Sequence, residues 1–222
     1  MNAVAQTGSA AAPTALADWI APGRTAVLVI DMQVDFASPE GQVGQWGADL
    51  SSVPAALAAA ERLVAAARKA GVPVIFIGLQ TTAALDSAAW SERMRRRGGS
   101  AEDESGLCRA GQPGAAFVGP TPLPGELVVP KLRYSGFFGT PLDAALRAQG
   151  IDTVIVSGLT TECCVDCTAR DAFHLDYHVF VATDACAAYE PDLHQGALKS
   201  LDLNCAILVE TGQVAAAWSK AI

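Results

Sequence analysis

Six short apolar runs rich in β-branched residues, separated by stretches of helical periodicity, constrain this 222-residue chain more than any other feature. A strand that reads as unbroken apolar sequence is buried on both faces, and parallel strands need a crossover, usually a helix, between them. The runs are Thr25 to Ile30, Val74 to Leu79, Glu126 to Val129, Thr153 to Ser157, Val179 to Ala182 and Cys205 to Val209. Helical pattern fills Pro54 to Lys69, with Ala70-Gly71 suited to a C-terminal cap, and Pro141 to Ala148, followed by Gln149-Gly150. Two further helices are expected over Cys163 to Leu175 and Pro191 to Leu203. Right-handed crossovers then give a three-layer α/β/α domain around a Rossmann-like, six-stranded, mainly parallel sheet. Residues 21–222 read as a single domain, preceded by a loose leader over residues 1–20 that is rich in Ala and Thr. Residues 81–124 break the rhythm as a long Gly/Pro/Ser-rich insertion, of a length that usually signals a lid or a subunit contact.

Composition narrows the partners. Hydrophobic residues make up 51% of the chain and charged residues 17%, which is far from the balance of a disordered polymer. A formal charge of -8 repels nucleic acid and anionic lipid, and no apolar run approaches the roughly 20 residues of a membrane helix. The exception, Arg93 to Arg97 with Met94 inside it, reads as a solvated helix face. A small-molecule substrate is expected, with no nucleic-acid or membrane partner. The N-terminal stretch lacks a signal peptide's basic and apolar regions, so Cys108, Cys163, Cys164, Cys167, Cys186 and Cys205 are read as reduced thiols of a cytoplasmic protein.

In an open parallel sheet the chemistry gathers at the carboxyl ends of the strands. Three reactive side chains fall there: Asp31 after the first run, Lys131 after the third and Cys164 after the fourth. Cys164 near a helix start is expected to be a thiolate of lowered pKa, stabilised by backbone N–H groups and by the Lys131 ammonium. Asp31 would accept the thiol proton and return it to a leaving amine. Amides at the helix start would face the oxyanion. Each residue taken singly has an ordinary explanation, as a turn former, a solvated lysine or a buried thiol. Cys164 and Cys167 also form a Cys-x-x-Cys, which leaves a thiol redox protein as an alternative. A zinc site is disfavoured, because His174, His178 and His194 do not fall at ligand spacing with the cysteines.

Three blocks resemble the isochorismatase-like cysteine hydrolases, with the likeness running from about Thr25 to Thr211. Asp31-Met32-Gln33-Val34-Asp35-Phe36 is similar to the family's D-x-Q-x-x-F, and Lys131 to Thr140 to its K-x-x-x-S-x-F-x-x-T. Gly158 to Ala172 is similar to G-x-x-T-x-x-C-V-x-x-T-x-R-D-A. The resemblance implies a catalytic group of Asp31, Lys131 and Cys164, with Cys164 and not Cys163 as nucleophile. It implies a cis peptide between Leu159 and Thr160, with the backbone amides of Thr160 and Cys164 forming the oxyanion hole. It also implies a dimer or tetramer. The D-x-H-x-x-H metal site of related nicotinamidases has no counterpart, because Gly78 to Ala84 holds no histidine, so neither metal nor cofactor is expected.

The cysteine favours acyl transfer over vinyl-ether cleavage. Lys131 to Thr140 looks similar to ureidoacrylate amidohydrolases, and Gly106 to Gly114 to biuret-type hydrolases. The expected activity is hydrolysis of an amide or ureido C–N bond through a thioester. Phe36, Gln80 and Tyr134 are expected to line the pocket, with Trp90 from the insertion as a lid residue. An isochorismatase-type hydrolase of another small substrate and a non-enzymatic member of the family are the remaining alternatives.

Overall fold

Alternation along the first strand organises the molecule. In β1 (Thr25–Ile30) the side chains of Val27 and Val29 enter one hydrophobic cluster, and those of Ala26, Leu28 and Ile30 enter another on the opposite face. All six positions are buried, which is why the run is continuously apolar. The computed structural model describes residues 15–219. Its remaining strands are β2 (Val74–Leu79), β3 (Leu127–Lys131), β4 (Thr153–Leu159), β5 (His178–Ala187) and β6 (Ile207–Val209). They form one sheet in the order β3-β2-β1-β4-β5-β6, and every pairing is parallel.

The principal helices are α1 (Val53–Ala70), α2 (Ala88–Arg96), α3 (Leu142–Ala148), α4 (Asp166–His174), α5 (Pro191–Asn204) and α6 (Thr211–Ser219). Helices α1 and α6 pack on one face, while α3, α4 and α5 pack on the other, giving the expected three layers. Gly71, left-handed at φ 70°, closes α1 through its N–H to the Arg68 carbonyl.

Strand β5 extends past the expected Ala182 to Ala187 although Thr183 and Asp184 interrupt its apolar run. Asp184 is engaged there as acceptor from the backbone N–H and hydroxyl of Thr211, the first residue of α6, a helix the periodicity did not reveal. Residues 1–14 of the expected leader lie outside the described residues. Its last part is built into the fold: Leu16–Trp19 makes a helical turn, and Ile20 is fully buried with its carbonyl accepting the Trp218 indole N–H at 2.8 Å. No helix among the described residues is long and apolar enough to cross a membrane. Arg93, Arg95, Arg96 and Arg97 are all exposed around buried Met94, and Glu92 pairs with Arg95 and Arg96.

Segment 81–124 folds back over the carboxyl end of the sheet. The Thr81 N–H donates to the Cys108 carbonyl, and the Ala110 N–H donates to the Thr81 carbonyl. Asp35 receives the Cys108 N–H at 2.7 Å and lies so close to Gly114 that a Cβ there would stand 2.3 Å from its carboxyl oxygens.

Candidate active site

The strand order reverses between β1 and β4, and the crevice at that switch point is where such sheets hold their ligands. Asp31 leaves the end of β1 at φ 49°, a left-handed conformation unusual for a side-chain-bearing residue. This turn aims its carboxyl across the sheet, where Oδ1 accepts the Leu79 N–H at 2.9 Å. Its Oδ2 stands 2.7 Å from Nζ of Lys131, which arrives from the end of β3. The same ammonium donates to the Arg133 carbonyl at 3.0 Å and to the Cys164 sulfur at 3.4 Å. Asp31 and Lys131 are each 1% exposed and Cys164 8%.

Cys164 is not on an ordinary helix start. Thr161–Val165 is a wide π turn that runs into α4, and the carbonyl of Thr160 accepts from the amides of both Cys163 and Val165. The peptide between Leu159 and Thr160 is cis. Just before it, Gly158 at φ 136° leaves no room for a side chain, since a Cβ would lie 2.1 Å from the Ile30 carbonyl oxygen. That close approach presses the segment leading to Cys164 against the turn carrying Asp31. Thr168 ties in the third segment: its hydroxyl donates to the Cys164 carbonyl at 2.6 Å and accepts the Gly136 N–H at 2.9 Å.

The electrostatics reverse one expectation. Contact with the Cys163 thiol, burial and the Asp31 charge push the Cys164 thiol well above its ordinary value, against the opposing pull of Lys131. Burial and the surrounding charges thus favour the thiol over a standing thiolate at the resting sulfur. Burial alone would weaken the Lys131 ammonium, but Asp31 and Cys164 outweigh it and hold the amine protonated. Cys167 is pushed up to about 11, chiefly by burial and then by Cys163, which is the opposite of what rapid thiol exchange needs.

The four expected pocket residues do not all meet. Phe36 and Trp90 pack on the same small cluster of Val43, Leu79, Leu107 and Cys108, and Tyr134 lies edge-on to Trp90 with centroids 5.6 Å apart. Gln80 opens elsewhere, onto a cleft of about 350 Å³ shared with Lys131, Arg133 and Phe138. A larger cavity of about 520 Å³, lined by Trp19, Phe173 and Phe180, lies toward the strands' amino ends, away from the three reactive side chains.

Two residues escaped the sequence reading. Gln33 is wholly buried; its amide nitrogen donates to the carbonyls of Leu79 and Ala115, and its oxygen accepts the Leu79 N–H. It stitches β2 and the insertion to the Asp31 turn, and its place in the D-x-Q block was the available signal. Tyr189 also packs on the cluster beneath Trp90 and donates its hydroxyl to the Phe36 carbonyl at 2.8 Å. Burial, then the charges of Glu162, Asp31 and Cys164, raise its phenol above the ordinary value.

A doubly wound parallel sheet with a carboxyl group, an ammonium and a thiol assembled at its switch point defines an isochorismatase-like α/β hydrolase. The chain belongs to the isochorismatase family, whose Isochorismatase domain model matches residues 25–213. It is 37% identical to the ureidoacrylate amidohydrolase RutB of Methylobacterium radiotolerans over 191 residues, covering 82% of this chain and 74% of that protein. It superposes on a cysteine hydrolase from Pseudomonas syringae pv. phaseolicola at TM-score 0.78 and 30% identity, covering 91% of this chain and 96% of the other. N-carbamoylsarcosine amidase from Thermoplasma acidophilum matches at TM-score 0.67 and 27% identity, covering 85% and 96%.

Proposed function

We propose that the chain hydrolyses an amide or ureido C–N bond of a small molecule, with Cys164 as nucleophile, Asp31 as proton carrier and Lys131 as the charge between them. The observation that carries this reading is the single ammonium in contact with both the Asp31 carboxyl and the Cys164 sulfur, with all three groups buried. The similarity to amidohydrolases acting on ureido and carbamoyl compounds supports the substrate class.

The raised thiol shapes the mechanism. As substrate enters, Asp31 takes the Cys164 proton while sulfur attacks the carbonyl, so that charge forms only where Lys131 and the oxyanion donors wait for it. The backbone amides of Thr160 and Cys164 are assigned to that oxygen. Asp31 then passes the proton to the departing nitrogen, the C–N bond breaks, and an acyl or carbamoyl thioester remains. Water, deprotonated by the same carboxyl group, attacks the thioester; the acid leaves and the proton returns to sulfur. Phe36, Tyr134 and Trp90 form the wall of the pocket in this reading, and Gln80 guards the neighbouring cleft.

Residues 21–222 are read as one domain because both hydrophobic clusters share one sheet. The 81–124 segment is assigned as a cover, given its ties to Asp35 and Gln33. Six unpaired cysteines suit a reducing cytoplasm, and exposed Phe138 and Leu203 suit assembly into a dimer or tetramer. The direct test is ammonia or amine release by purified protein from ureido acids, biuret, carbamoyl amino acids and aliphatic amides. C164A should release neither; substantial turnover by that variant would refute the nucleophile assignment.

A further inference from the structure

Glu162 sits two residues before the nucleophile, inside the π turn, and its Oε2 is shut off from solvent with no hydrogen-bond partner. A buried carboxyl oxygen left unmatched costs free energy that a donor would recover. Two protein hydroxyls, one on the same turn and one on a tyrosine that feels the Glu162 charge, are engaged elsewhere. The Thr161 hydroxyl is joined to Nδ1 of His194 at 2.8 Å, and the Tyr189 hydroxyl donates to the Phe36 carbonyl. Glu162 shares the five-residue π turn with Cys164, and its charge reaches Tyr189, as do those of Asp31 and Cys164. Lys131 is satisfied by Asp31, Arg133 and Cys164.

We propose that Glu162 is a specificity-determining residue whose buried oxygen accepts a hydrogen bond from an N–H of the substrate's carbamoyl end. The site therefore selects carbonyls bearing a terminal NH2 over those bearing a methyl group in its place. This rests on the amide and ureido reading above and sharpens it, since a simple acyl amide satisfies Cys164 and the oxyanion donors equally well yet leaves Glu162 unmatched. Discrimination of this kind arises because the rejected analogue strands a buried polar group.

The test compares 3-ureidopropanoate with 3-acetamidopropanoate, which differ only by NH2 against CH3 at the attacked carbonyl. Wild-type protein should favour the ureido compound in kcat/KM, and E162L should shrink that preference by about 10- to 100-fold, the worth of one hydrogen bond to a charged group. E162Q keeps an acceptor oxygen and should restore most of the preference; it also covers the case in which E162L fails to fold. An unchanged ratio in a folded E162L, or in E162Q a preference lost as completely as in E162L, would overturn the assignment while leaving the amidohydrolase reading intact. If wild-type protein cleaved neither compound nor any other amide or ureide, both readings would fall together.

Discussion

The Lys131 ammonium and the Cys164 sulfur stand 3.4 Å apart at the meeting of an outer strand and a π turn. Because Lys131 also faces Asp31 at 2.7 Å, one cation touches both the carboxyl group and the sulfur. Removing it has consequences for the fold as well as for the chemistry.

In K131M the Asp31 carboxyl loses its counter-ion in a place closed to water. Unfolding free energy should drop by about 3–5 kcal/mol, the usual consequence of breaking a buried pair from one side. The double variant D31N/K131M should regain much of that loss without regaining activity. Urea titrations of the three proteins, read beside kcat/KM, separate the two effects, and a K131M protein as stable as wild type would contradict the burial argument.

Alkylation of Cys164 should be slow at neutral pH and accelerate only above the range of an ordinary thiol, since Cys163, burial and Asp31 all disfavour the resting thiolate. C163A should move the profile toward lower pH, and K131M should move it higher. The sign for stability follows: a thiol raised in the fold retains its proton where the unfolded chain has released it, so stability contributed at neutral pH is lost as pH rises past the free-thiol value. Mass-resolved labelling with iodoacetamide across pH reads the midpoint, and a value below that of free cysteine would restore the standing-thiolate picture.

G158A places a methyl group 2.1 Å from the Ile30 carbonyl oxygen at a φ of 136° that L residues avoid. The backbone must shift, at a cost of about 1–3 kcal/mol or more. Activity should fall far more than the stability change explains, because the displaced segment carries Thr160 and Cys164 while its neighbour carries Asp31. Thermal melts and single-turnover rates on one preparation decide the matter.

His194 is held below its ordinary value of 6.5, by burial against the opposing charge of Glu162. Below that value the unfolded chain binds the proton first, so stability should decline as pH falls through the interval beneath 6.5. H194Q should flatten that decline. Urea midpoints taken from about pH 7.5 to 5 measure both slopes, and identical slopes would show that the imidazole contributes nothing.

Strands β1 and β2 match their expected bounds at both ends because each is an uninterrupted apolar run flanked by polar or turn-forming residues. The positions of Asp31 and Lys131 at strand ends were legible for the same reason, whereas Cys164 lies in the π turn beyond β4. Strand β5 ran further than expected because Asp184 is satisfied by Thr211, a partner 27 residues away that no local pattern announces. The direction of the Cys164 shift runs opposite to helix-start logic, which counts the helix amides and Lys131 and places Asp31 as proton acceptor but does not weigh burial, the Asp31 charge or the Cys163 thiol against them. Glu162 and Tyr189 carry no periodic signature; what distinguishes them is which hydrogen bonds their surroundings leave over, and that emerges only in three dimensions.

Lys131 is supplied by β3, one of the two edge strands, which has a single neighbour and leaves Val128 and Pro130 facing outward. A strand hydrogen-bonded on one side only thus holds the ammonium on which the proposed mechanism relies. On the proposed mechanism, fraying of that one ribbon should silence turnover before circular dichroism or intrinsic fluorescence registers damage, making catalysis the early alarm at this border.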